Sequence, residues 1–221
     1  MYKSIINNFV FFKDIDNSDF IVKVVTSLKP LISIKGDIII QEGDYINEIF
    51  FVKKGVIGLN ICIDLDDPEN SIKKYFGKNG IGKYNISYIK NISQSKSFSD
   101  ISLDNLFNTE NDNKNTKNIN FEDIKVIEIR AREHFGDALM FLNERCPLVA
   151  KVRTKITELL TLRKMEAIET YSLYPNIWKR INKISLYNME QIYLRIKKIV
   201  IELSNRYKIN IDDYYSNKKK N

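Results

Sequence analysis

Residues 31–63 read LISIKGDIIIQEGDYINEIFFVKKGVIGLNICI, and glycines at 36, 43 and 55 cut the stretch into short runs rich in Ile, Val and Phe. The breaks fall at Gly36-Asp37, Gly43-Asp44 and Gly55. There the chain must turn within a few residues or take the positive φ that glycine alone tolerates cheaply. The last run alternates, with Ile57, Leu59, Ile61 and Ile63 set against Val56, Gly58, Asn60 and Cys62. Strands joined by turns this short predict an antiparallel barrel or roll.

A second β-type run, with Val126, Ile127 and Ile129, leads into His134-Phe135-Gly136-Asp137. An apolar helix-like segment over 138–142, a loop holding Pro147 and a further β-type run at 149–152 follow. A strand that turns at glycine into a helix presents unpaired backbone N–H groups, an arrangement that suits an anion. Alone, Phe135-Gly136-Asp137 is better read as a plain structural turn. Around these runs lie helical signals. Asn17-Ser18 caps a helix with apolar face Phe20, Ile21, Val24, Val25 and Leu28, stopped by Pro30. A last strand over 158–162 precedes a helix from Lys164 with Met165, Ile168 and Tyr171 on one face. Pro175 opens a separate turn of helix with Ile177, Trp178 and Ile181, and a final helix spans 187–207. Residues 64–120, rich in Asn, Ser, Lys and Asp, read as a long disordered insertion between two strands. The expected organisation is a roll with its leading helix over 1–163, helices over 164–210 and a disordered basic tail over 211–221.

Composition excludes more than it selects. The 221 residues are 43% hydrophobic and 29% charged, values of a soluble globular chain. A net charge of +7 admits anionic partners without choosing one, because Lys, Asn and Ile are heavily used throughout. Two cysteines, Cys62 and Cys146, form no disulfide framework, and one histidine, His134, is too few for the usual zinc or His-based catalytic sets. No apolar run reaches the length of a membrane span. No metal site and no enzyme activity are expected.

Two spaced motifs carry a resemblance. Gly36-Asp37-x-Ile39-x-x-Glu42-Gly43-Asp44 followed by Ile49-Phe50-Phe51-Val52-x-x-Gly55 resembles the first half of the cyclic nucleotide-binding domain. Phe135-Gly136-Asp137 stands where that family carries its Phe-Gly-Glu phosphate cassette. The similarity covers roughly 8–63 and 125–200. It implies an α+β fold, an antiparallel β-roll flanked by N-terminal and C-terminal helices. FFKDIDNSDFIVKVVTSLKP and YPNIWKRIN are most similar to the cytoplasmic gating domain of voltage-gated potassium and cation channels. A channel context implies a homotetrameric parent, contact with its pore domain or other subunits, a place on the cytoplasmic side of a membrane, and no nucleic acid partner. The alternative is a stand-alone soluble cAMP or cGMP sensor.

The resemblance assigns the site. Gly136 with the N–H groups of Asp137 and Ala138 would meet a cyclic phosphate, Asp137 would accept from the ribose hydroxyl, and Phe135 would anchor the corner. Leu148, ahead of Val149 and Ala150, stands where binders carry an arginine. Losing that charge-assisted bond costs about 1.5–3 kcal/mol, roughly one to two decades in affinity. Arg145 lies three residues earlier and is the nearest replacement in sequence. The departure is similar to the ether-à-go-go branch of potassium channels, whose pocket holds an aromatic-Asn-apolar tripeptide of the chain itself. Tyr187-Asn188-Met189 has that composition. The ligand is thus cAMP, cGMP or this intrinsic segment, and no other cofactor is implied.

Overall fold

The computed structural model describes residues 9–13, 15–75 and 120–210. It divides into two units, 1–61 with 125–192 and 62–124 with 193–221. In the first, a 3-10 turn (Val10–Phe12) precedes helix α1 (Ser18–Ser27). Asn17 caps α1 as expected, its side chain accepting from the Phe20 N–H at 2.8 Å. Strands β1 (Lys29–Ile34), β2 (Ile38–Ile40), β3 (Glu48–Lys54) and β4 (Val56–Asp64) follow, turning where the glycines stand. After helix α2 (Pro68–Lys73) come β5 (Phe121–Arg130), β6 (His134–Phe135), helix α3 (Asp137–Leu142), β7 (Val149–Val152) and β8 (Ile156–Arg163). Helices α4 (Lys164–Leu173) and α5 (Pro175–Arg206) complete the described chain.

The strands form two four-stranded sheets, ordered β1-β8-β3-β6 and β2-β7-β4-β5. The pairs β1–β8, β2–β7, β3–β6, β3–β8 and β4–β7 are antiparallel, with β3 against β8 and β4 against β7 joining residues about a hundred positions apart. This is the expected roll with flanking helices. Ile57, Leu59, Ile61 and Ile63 are buried, as the alternation predicts. Gly58 and Asn60 on the opposite face are covered as well, because the Arg153 side chain packs across Gly58 and donates to the Asn60 amide oxygen.

Three expectations need revision. The stretch from Asp64 is not featureless at its described start: Asp67 caps α2, Pro68 sits at its first turn and Lys73 pairs with Glu69 one turn away. Most of the expected insertion, 76–119, lies outside the described residues, as does the tail after Asn210. In α4 the buried side chains are Lys164, Ala167 and Thr170, while Met165 is 54% exposed. Thr170 fits inside because its hydroxyl bonds back to the Glu166 and Ala167 carbonyls. The two helices read around Trp178 and after Tyr187 are one continuous α5 of 32 residues, since nothing between them breaks a helix. Among the described residues, no helix is long and apolar enough to cross a membrane.

An aromatic cluster ties the leading segment and the C-terminal helices to the roll. Trp178 is 1% exposed and meets Phe11, Phe20 and Phe141 edge-on, with ring centroids 5.4 to 6.0 Å apart. Phe9, Phe11 and Phe12 surround Phe51 at 5.1 to 5.6 Å. Trp178 therefore serves as a core anchor.

Candidate functional site

The site is a corner closed by pairing across the roll. Strand β6 pairs with β3 through Phe50↔Phe135 and Phe51↔His134, and the Phe50 and Phe135 rings stack at 5.0 Å and 13°. The chain then bends at Gly136, with φ 91° and ψ −20°, into α3. A Cβ at Gly136 would stand 2.8 Å from the Glu48 carbonyl oxygen and 3.2 Å from Ile46 Cγ2. Both the backbone angle and the available space demand glycine.

Helix α3 has six residues, and all six are buried. Its first intrahelical bond runs from Met140 N–H to Gly136 O at 3.0 Å, and Asn143 closes it with φ 53°. Lys164, 3% exposed, braces the carboxyl end of the helix by donating to Asn143 Oδ1 at 2.8 Å. Burial pushes this amine below the usual lysine range.

Asp137 is 7% exposed, and its Oδ2 has two side-chain partners. His134 Nε2 lies 3.1 Å away, and the Ser185 hydroxyl on α5 donates to the same oxygen. Because a carboxylate only accepts, His134 Nε2 is the protonated ring nitrogen. Burial alone would raise the Asp137 carboxyl. The His134 charge and hydrogen bond, the Ser185 hydroxyl and the Ala138 N–H outweigh it and hold the group below the usual carboxylate range. The Ser185 hydroxyl meets the carboxylate and not the imidazole, so the three side chains are not arranged as a nucleophile with its base. They form an internal clasp between the 134–137 turn and α5.

The remaining expected site residues divide. Phe135, Gly136, Asp137 and Ala138 come together at the corner. Val149 and Ala150 lie on β7, opposite Asn60 and Leu59 on β4. Leu148 is 2% exposed and belongs to the apolar core. Arg145 is occupied elsewhere: its guanidinium donates to Gly43 O at 2.9 Å and covers the Tyr45 ring at 4.7 Å. Paired N–H···O bonds of 2.8 Å between 43–44 and Cys146 fix that loop. Tyr187 and Asn188 are on the exposed side of α5, Tyr187 at 61%, whereas Met189 is buried. Sequence reasoning missed Ser185. The available signal was a small polar residue in register with Ile181 and Met189 on the apolar face of α5.

No family model matches the chain, and no curated protein matches it in sequence. Solved structures do share its fold. The regulatory domain of Toxoplasma gondii PKA with cAMP superposes with a TM-score of 0.51 at 12% identity, over 86% of this chain and 49% of that one. The regulatory subunit of a cAMP-independent protein kinase A from Trypanosoma brucei gives 0.50 at 14% identity, over 88% and 50%. A mutant of that subunit bound to cAMP in the A site gives 0.50 at 13%. The chain spans about half the length of these structures. The antiparallel roll with flanking helices is thus the fold this chain shares with these protein kinase A regulatory structures.

Proposed function

We propose that this chain is a non-catalytic regulatory module that responds to a cyclic nucleotide. The observation that carries the reading is the Phe135-Gly136-Asp137 corner, closed on β3 and joined to α5 through Asp137 and Ser185. An occupant of the corner then changes the seating of a helix that leads out of the roll. With Leu148 in the core and Arg145 held at Gly43 and Tyr45, phosphate recognition falls to backbone N–H groups. Binding is accordingly weak, about one to two decades below an arginine-bearing site.

Calorimetry of the full chain with cAMP and cGMP tests this. Saturable heat from either nucleotide, absent with 5′-AMP and 5′-GMP, is the expected result. Equal affinity for the cyclic and linear forms, or no heat at millimolar nucleotide, refutes it.

The finer reading is gating control of a voltage-gated potassium or cation channel, on the cytoplasmic face, within a homotetramer. Its support is the wording of 11–30 and 174–182 and an aspartate in the cassette. Transcript sequence running in frame upstream of Met1 into membrane-spanning segments is expected. An in-frame stop codon there refutes the channel reading and leaves the sensor.

A further inference from the structure

We propose that Ser185 is a built-in occupant of the sugar-hydroxyl position of this corner, which a ligand hydroxyl must displace. The inference rests on the cyclic nucleotide reading above and adds how the site is regulated.

Three facts combine. Asp137 and Ser185 are 7% and 2% exposed, so their contact is shut off from water. The Ser185 hydroxyl has one hydrogen and two acceptors in reach, the Asp137 carboxylate and the Ile181 carbonyl at 3.0 Å. It therefore has two stable settings. Donating to Asp137 ties α5 to the cassette, and donating to Ile181 satisfies the hydroxyl within its own helix. Finally, Asp137 Oδ2 already takes two hydrogen bonds, and on the functional reading above this carboxylate is the one that would accept from a ligand hydroxyl. Crowding at that oxygen makes an incoming hydroxyl and Ser185 competitors. When the ligand hydroxyl donates to Asp137, Ser185 turns to Ile181 and the side-chain tie between the cassette and α5 is lost. Loss of the tie costs no buried, unpaired hydroxyl, which makes the exchange reversible.

This assignment differs from self-occupancy by Tyr187-Asn188-Met189. The same helix supplies the internal partner, but through a buried serine two residues earlier, at the sugar position and not at the base.

The test is Ser185→Ala in the full chain, which removes the hydroxyl and suits a helix. Without ligand, hydrogen exchange at the amides of 137–142 and 181–189 should quicken about tenfold while β3 and β8 keep their protection. Unchanged exchange refutes the tie whatever nucleotides do. With ligand, cAMP affinity should rise about tenfold, whereas 2′-deoxy-cAMP, lacking the competing hydroxyl, should bind wild type and variant alike. An equal gain for both nucleotides refutes the competition. If neither protein binds any cyclic nucleotide, the functional reading and the displacement both fall, and the exchange result still judges the tie separately. Global unfolding of Ser185→Ala is recognised by lost protection at β3 and β8. Ser185→Thr, which restores a hydroxyl, must then return both wild-type exchange and wild-type cAMP affinity, and failure of that rescue refutes the proposal.

Discussion

The structure turns on the approach of the Gly136 corner to β3, and two glycines allow that approach to be measured. Gly136 and Gly43 have almost the same φ, 91° and 92°, but different surroundings. A Cβ at Gly43 meets nothing within 4 Å, while one at Gly136 lies 2.8 Å from the Glu48 carbonyl. Gly43→Ala carries only the cost of placing an L-residue in the left-handed region, about 1–2 kcal/mol. Gly136→Ala carries that cost and must also displace a main-chain oxygen of β3, adding about 1–3 kcal/mol as overpacked sites do. β3 resists the shift because it is held on both sides, by β8 and by β6. Urea unfolding of both variants, followed by far-ultraviolet circular dichroism, gives the difference directly. Gly136→Ala should be the less stable by about 1–3 kcal/mol, or several degrees in Tm for a chain of this size. Equal destabilisation would show that the corner does not abut β3, and the site built on that contact would fall with it.

Two further outcomes follow from the same geometry. Asp137 has a folded-state pKa below its ordinary value of 3.8, so the stability it contributes is present above that pH and drains away as pH falls through the lower folded value. Asp137→Asn should therefore lower stability at neutral pH and flatten the acid limb of a stability-versus-pH profile, and an acid limb as steep as wild type would contradict the clasp. The Cys146 thiol is buried, donates to the Leu148 carbonyl at 3.3 Å, and is pushed up to about 12 by that burial. A thiol reagent at neutral pH should modify Cys62 well before Cys146 in the native chain and both in urea, so rapid native labelling of Cys146 would show that the 143–148 loop opens.

What was legible in the residues is what short-range physics controls. Glycines at 36, 43, 55 and 136 all take positive φ, so turns, strand lengths and the entry into α3 follow from local steric rules. Alternation in β4 marks its inner face because side-chain direction in a strand has period two. Asn17 identifies a helix start through its bond to the third residue onward, whereas Asp67 does the same inside a stretch whose polar composition masked it. Periodicity did not say which face of α4 turns inward, because Met165, Ile168 and Tyr171 look more apolar than Lys164, Ala167 and Thr170. Close packing chose the small residues, and backbone or amide partners satisfied the polar ones.

The candidate site shows the same division. The sequence placed a glycine corner and a carboxylate side by side, because they are neighbours in the chain and obey turn chemistry. It did not reveal that Arg145 would be spent on Gly43 and Tyr45, or that Asp137 would meet Ser185, 48 residues away. Those pairings depend on which surfaces the folded roll brings within about 3 Å, and a hydrogen bond has no reach beyond that. Local stereochemistry was set residue by residue along the chain. The partners of its buried charges were set by tertiary packing, since burial away from water forces each one to find a bond in whatever neighbour the fold supplies.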